Sequence, residues 1–350
     1  MTAKSLYLDH AATTPLLPEA REAMMRGFAV WANPSSPHAA GRAARAALED
    51  ARDRVKRALG WPHEIVFTAS ATEALALAAR HAKADLAAVS SVEHDAVLRL
   101  AGEAVRIEVD ACGRVDPARC GTGGLVAVQQ VNSETGVVQP LDRVAAQVRR
   151  SGGLLLADCA QGAGKLDLPD ADLIAVSAHK FGGPIGVGAL LVREWALLEA
   201  VGGQERGYRP GTENLPGALA MAAALEAGRD WLGEAARLRV MLEEGVQAAG
   251  GEIVAAGAER CPTIGAVRMP GLAAALQLIR FDVQGIAVSA GSACSSGSMR
   301  PSHVLAAMRL GERAAAETIR VSIGRETREA DVVRFLDAWQ AIARSVRTAA

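Results

Sequence analysis

Apolar and polar positions repeat with two periods that take turns along the first two thirds of the chain. Residues 18–31 and 38–59 return Ala, Leu and Val every three or four positions against Arg, Glu and Asp, which predicts two amphipathic helices. From residue 64 short apolar blocks separate helical stretches. Residues 64–68, 86–90, 124–131, 154–158, 173–176 and 187–192 read as strands, and 71–81, 94–101 and 141–150 as helices between them. Such alternation predicts a mostly parallel sheet covered on both faces. Ligands of these sheets bind outside the carboxyl ends of the strands. Thr68 to Ser70, Asn132, Asp158 and Ser177 to Lys180 all fall at such ends.

Helical patterns resume at 215–229 and 231–249. Beyond Gly250 short strands (252–255, 264–268 and 319–323) mix with helices, and 327–347 closes as an amphipathic helix. The expected fold is therefore α/β, with a large domain over residues 15–250. Residues 1–14 and 251–350 are expected to form a small α+β domain.

A chain of 350 residues can bury a sizeable core. Its net charge of −1, with both signs mixed, offers no basic face to nucleic acid or an anionic membrane. No long uncharged apolar run and no signal peptide point to a membrane. The five cysteines, Cys112, Cys120, Cys159, Cys261 and Cys294, are odd in number and form no C-x-x-C pair. This disfavours a disulfide framework or a Cys-rich zinc site, no metal is expected, and a reducing cytoplasm fits the pattern.

The chemistry concentrates around Lys180. Ser177-Ala-His-Lys180 and the Gly/Pro-rich turn after it lie between two strand-like blocks. A lysine at the mouth of buried strands can lose solvation, lower its pKa and form a Schiff base with an aldehyde. Asp158, ending another apolar block, is the kind of carboxylate that a pyridinium nitrogen requires as a partner. Ser70 and Glu73 fit a Ser-x-x-Glu capping box, which leaves backbone N–H groups at that helix start available to a phosphate. Cys294 is a single thiol in the Gly/Ser-rich run Ser289-Ala-Gly-Ser-Ala-Cys-Ser-Ser-Gly-Ser298, unlike a buried structural cysteine among apolar neighbours.

These motifs, together with Tyr7-Leu-Asp-His-Ala-Ala-Thr-Thr-Pro15, Val131-Asn-Ser-Glu-Thr-Gly136, Arg206-Gly-Tyr-Arg-Pro-Gly-Thr-Glu-Asn214 and Ile319-Arg-Val-Ser-Ile-Gly324, resemble the cysteine desulfurases of the class-V aminotransferase superfamily. The resemblance covers most of the chain. It implies pyridoxal-phosphate fold type I, with a seven-stranded-type sheet in the large domain and the cysteine loop in the small one. It implies pyridoxal 5'-phosphate as cofactor, L-cysteine as substrate and L-alanine as product, with the sulfur moved to Cys294 as a persulfide.

By the same resemblance Lys180 carries the cofactor, and His94 stacks on its ring and shuttles protons. Asp158 pairs with the ring nitrogen and Gln161 with the ring oxygen. Ala71, Thr72, Ser177 and His179 hold the phosphate, and either Asn132 or Ser133 approaches the cofactor. Arg320 forks onto the substrate carboxylate, and Asn33 is its second contact. Thr212 reaches the partner subunit's phosphate, which implies a homodimer.

Sulfur would pass on to a partner such as an iron–sulfur scaffold. Relatives serving such a scaffold commonly have a longer tail than one ending at Ala350, so the acceptor stays open. The alternatives are a selenocysteine lyase or another class-V enzyme, and an inactive cofactor-binding scaffold for sulfur carriers.

Overall fold

The computed structural model describes residues 5–291 and 301–347. Within them the chain runs β1 (Leu6–Tyr7), α1 (Pro18–Ala29), α2 (Ala39–Leu59), β2 (Glu64–Thr68), α3 (Ala71–His81), β3 (Leu86–Ser90), α4 (Asp95–Leu98) and β4 (Val105–Ile107). It continues through β5 (Leu125–Gln129), α5 (Leu141–Arg150), β6 (Leu154–Asp158), β7 (Leu173–Ser177), β8 (Gly188–Val192), α6 (Leu215–Glu226) and α7 (Leu232–Ala248). The remainder is β9 (Glu252–Ile253), β10 (Ile264–Arg268), α8 (Ala274–Val283), β11 (Ile286–Ala287), α9 (His303–Ala307), α10 (Glu312–Ala316), β12 (Thr318–Ser322) and α11 (Glu329–Arg347).

Seven strands form one sheet in the order β2-β8-β7-β6-β5-β3-β4. Only β8 runs against its neighbours; the other pairs are parallel. Strands such as β5 and β7 are buried at every position, as expected of a sheet covered on both sides. Successive residues serve opposite faces. Ile65, Phe67, Val126, Val128, Ile174 and Val176 pack with α2, α5 and α6, whereas Val66, Leu125, Ala127, Leu173 and Ala175 pack with α3. Because β2, β3, β5, β6 and β7 share one direction, their carboxyl ends open on one edge of the sheet.

A second core gathers around the antiparallel sheet β12-β10-β9 and helices α7, α8 and α11. Phe281, Phe335 and Trp339 are its centre, with Phe281 and Phe335 stacked at a ring separation of 5.2 Å. The chain start joins this core, since β1 pairs in parallel with β11.

Two expectations change in detail. The helix expected over 94–101 shrinks to α4, and His94 stands just before it as its cap, accepting from Ala96 N–H. Edge strand β4 escapes a periodicity reading because it has three residues, two of them exposed.

Candidate active site

The shared strand edge forms a cleft of about 240 Å³. Its lining includes Ala71, Thr72, His94, Ser133, Asp158, Gln161, Ser177, His179, Lys180 and Arg320. Ten of the expected site residues are thus brought together from six separate segments, together with Ala11, Ala12 and Ser70.

Asp158 ends β6, where it is 8% exposed. Burial pushes its pKa up, against the Ala160 N–H, His94 and Lys180, which favour the charge. The Ala160 N–H donates to its Oδ1 at 2.9 Å. Lys180 ends the short turn after β7 and donates from Nζ to the carbonyls of Ala11 at 2.7 Å and Ala12 at 2.9 Å. Ala11 O also accepts from Gln161 Nε2 at 2.8 Å. His179 is 3.1 Å from Thr13 Oγ1 through Nδ1. Burial, then Lys180 and Lys165, lower its pKa to about 4, so the imidazole is neutral near pH 7.

Helix α3 supplies the end of the cleft richest in backbone donors. Ser70 caps it by accepting from Glu73 N–H at 3.1 Å, and the Glu73 carboxylate reaches back to the Ala69 N–H. The first intrahelical bond runs from Ala74 N to Ser70 O. The N–H groups of Ala71 and Thr72 therefore precede the helical ladder and face the cleft end of the macrodipole. Gly188 permits this placement, because an added Cβ there would stand 2.6 Å from the Ser70 carbonyl carbon. Arg209 steadies the capping acid, with Nε 2.8 Å from Glu73 Oε1.

Arg320, 7% exposed on β12, reaches the cleft from the other side. Its Nη2 donates to Asp9 Oδ1 at 2.8 Å and its Nη1 to the Ser133 carbonyl at 3.0 Å. Its Nε is buried with no hydrogen-bond partner among the described residues.

Three expected residues lie elsewhere. Asn132 is buried and occupied with its own loop, its Oδ1 accepting from the N–H groups of Glu134 and Thr135 and its Nδ2 donating to Val92 O. Ser133 is the one of that pair lining the cleft. Asn33 caps its own turn, accepting from Ser35 N–H at 2.8 Å. Thr212 lines a different cavity with Thr68, Ala69, Gly186 and Arg209. Cys294 lies outside the described residues.

The sequence reading missed the role of the chain start. Segment 9–14 touches Arg320, Gln161, His179 and Lys180 at once. The run Tyr7 to Pro15 carried part of the family resemblance, but no role was expected of it, and no periodicity interprets its charged and small residues. Glu93, fully buried beneath the cleft, was also missed. Its Oε1 accepts from Gln129 N–H at 2.7 Å, and burial raises its pKa well above the carboxylate range.

The aminotransferase class-V family model matches residues 6–335. A cysteine desulfurase of Bradyrhizobium diazoefficiens is 40% identical, with 93% of this chain and 91% of the relative covered. One of Gluconacetobacter diazotrophicus is 36% identical over 98% of this chain and 94% of its own length. Among solved structures, a NifS-like protein from Rickettsia africae superposes with a TM-score of 0.88 at 27% identity, covering 97% of this chain and 99% of that one. The family match, the relatives' near-complete coverage and the shared fold agree, and this chain belongs to the cysteine desulfurases of the class-V aminotransferase family.

Proposed function

We infer that this chain is a pyridoxal-phosphate-dependent cysteine desulfurase, converting L-cysteine to L-alanine and taking the sulfur onto its own cysteine. The observation that carries this is the meeting of Lys180, Asp158, the α3 N-terminus and an orphaned Arg320 donor in one cleft.

These residues fit the cofactor. The α3 N–H groups, with Ser177 and His179, suit a phosphate. Asp158 suits a protonated ring nitrogen, with His94 and Gln161 as further contacts and Lys180 as the amine that bonds the aldehyde. When bound, pyridoxal phosphate supplies an electron sink for bonds breaking at the substrate's carbons.

The chain's own groups do the remaining work. Arg320 offers its free Nε–H to the substrate carboxylate, a charge-assisted contact in a buried setting. Asn33 is proposed as the second carboxylate contact. Lys180, once released, holds its proton against the carbonyls of Ala11 and Ala12 and can return it to the substrate α-carbon. His94 is proposed to move a proton at the substrate thiol. Cys294 attacks the substrate sulfur as thiolate, and the sulfur–sulfur bond forms as the carbon–sulfur bond breaks. The electron pair of the broken bond stays with the substrate β-carbon, which takes up a proton to become the methyl group of alanine, and the sulfur remains on Cys294 as persulfide.

Thr212 supports a homodimer in which each subunit completes the other's phosphate site, since it lines a cavity separate from its own cleft. The chain is proposed to divide into domains 15–250 and 1–14 with 251–350, and to work in the cytoplasm. Among the described residues no helix is long and apolar enough to cross a membrane. The persulfide would pass to an acceptor such as an iron–sulfur scaffold. Measuring alanine and sulfide released from L-cysteine tests this reading, and a holoenzyme releasing neither would overturn it.

A further inference from the structure

The contacts of Arg320 define more than a carboxylate anchor. A guanidinium presents its five N–H bonds in one plane, so its use depends on how that plane is set. Here both terminal nitrogens are engaged, Nη2 by Asp9 Oδ1 at 2.8 Å and Nη1 by the Ser133 carbonyl at 3.0 Å. Nε is a buried donor with no hydrogen-bond partner among the described residues, and so is available to a ligand, while each terminal nitrogen carries a second N–H beyond the contact named. The Ser133 contact is a backbone acceptor and neutral. The Asp9 contact is ionic and about twice as strong as a neutral hydrogen bond.

Asp9 is itself fixed by its neighbours rather than by Arg320. It bridges in parallel to Ser322 on β12. The Ser322 hydroxyl donates to Leu8 O at 3.3 Å and accepts from Ala11 N–H at 2.9 Å. The Tyr7 hydroxyl, between 3.2 Å from Asp9 O and 2.8 Å from Thr13 O, ties the same segment from outside. The carboxylate is therefore presented to Arg320 from a strap that stays in place without it.

We propose that Asp9 is a positioning residue for substrate recognition, holding the Arg320 guanidinium in the plane that turns Nε–H toward the α-carboxylate of the amino-acid substrate. This rests on the desulfurase reading. Asp9 touches neither substrate nor cofactor in this scheme, and it acts only through Arg320. Its loss should weaken ligands that carry an α-carboxylate and spare those that lack one.

The test compares holoenzyme with Asp9→Asn and Asp9→Glu, titrated with L-cysteine and with cysteamine, which keeps the amine and thiol but has no carboxylate. Binding is read from the change in the cofactor's visible absorbance, and turnover of L-cysteine is measured alongside. Asp9→Asn should raise the Kd and KM for L-cysteine about tenfold, the worth of one charge-assisted hydrogen bond, with kcat at saturation changed far less. Its affinity for cysteamine should stay near that of the wild type. Asp9→Glu keeps the charge and should show a smaller loss of the same kind; it carries the test alone if Asp9→Asn fails to fold. Equal weakening of both ligands, or unchanged affinity for L-cysteine, would overturn the proposal. A wild-type holoenzyme that does not respond to L-cysteine would overturn the desulfurase reading instead.

Discussion

Lys180 Nζ lies 2.7 Å from the carbonyl oxygen of Ala11, which joins two residues 169 positions apart at the centre of the cleft. The Ala12 carbonyl accepts from the same ammonium, and Ala11 also takes Gln161 Nε2. Backbone carbonyls stabilise the protonated amine without a neutralising charge. Lys180 therefore has a defined resting place in the cleft.

Lys180→Ala should abolish turnover and the protein's visible absorbance band arising from a lysine-bound cofactor. Borohydride followed by peptide mapping checks this, since wild-type holoenzyme should carry the reduced cofactor on Lys180. The variant should fold, because Lys180 is partly exposed and its carbonyl partners can be hydrated.

Buried Glu205 holds the segment leading to Thr212 against the sheet. Its carboxylate receives Arg52 Nη1 at 2.8 Å, Arg52 Nη2 at 2.9 Å and Phe67 N–H at 2.8 Å. Glu205→Ala would leave the Phe67 N–H without its acceptor and take the buried ionic partner from Arg52, whose remaining contacts are Glu49 and the Ile65 carbonyl. A loss of about 3–5 kcal/mol is expected, as for removal of one partner of a buried pair. Urea unfolding of the apoprotein measures it.

Glu93 gives a pH-dependent expectation. Burial raises the pKa of its carboxyl, the Gln129 N–H opposes this, and Asp158 adds to the rise. A raised folded pKa contributes stability that is complete below the ordinary glutamate range. That stability is lost as pH climbs toward and through the folded value. Glu93→Gln removes the titration while keeping an acceptor for Gln129 N–H. The difference in Tm, variant minus wild type, should grow as pH is raised from about 4.3 upward. A difference that is flat or falls with pH would refute this.

The buried thiols should be poor nucleophiles. Burial pushes Cys120 to about 11 and Cys159 well above the usual thiol value, with nearby acids adding to both shifts. Cys261 is buried with Sγ 3.2 Å from Thr263 Oγ1. Native alkylation near pH 8 should leave Cys120, Cys159 and Cys261 unmodified while Cys294 reacts, and unfolding should expose all of them. Single changes of Cys112, Cys120 or Cys261 to Ala should leave sulfur transfer largely intact. Cys159 is the expected exception, because it follows Asp158 directly.

The sheet was legible because its strands are short, apolar and separated by helices of clear period, and the strand ends placed Asp158 and Lys180 together. The cap at Ser70 was legible because Ser and Glu stand at the required spacing; the Ser70 bond to Glu73 N–H forms, while the Glu73 carboxylate takes the N–H of Ala69, one residue before the cap. The strap 9–14 was not, since its work is done by backbone carbonyls and one carboxylate whose partners lie far along the chain. Asn132 and Ser133 show the same limit. Adjacent polar residues at a strand end cannot be ranked by sequence, and only the turn decides that Asn132 folds inward while Ser133 faces the cleft. Thr212 lines a cavity of its own, apart from the cleft, and the strand and helix pattern gave no sign of that placement.

The most direct measurement is a single turnover with limiting L-cysteine, reading alanine and the mass of the Cys294 peptide together in wild type and in Cys294→Ser. Wild type should yield one alanine for each sulfur added to Cys294. Cys294→Ser should still change the cofactor's spectrum with L-cysteine, yet form no persulfide and almost no alanine. A Cys294→Ser protein that desulfurates L-cysteine at close to the wild-type rate would contradict sulfur transfer through this residue.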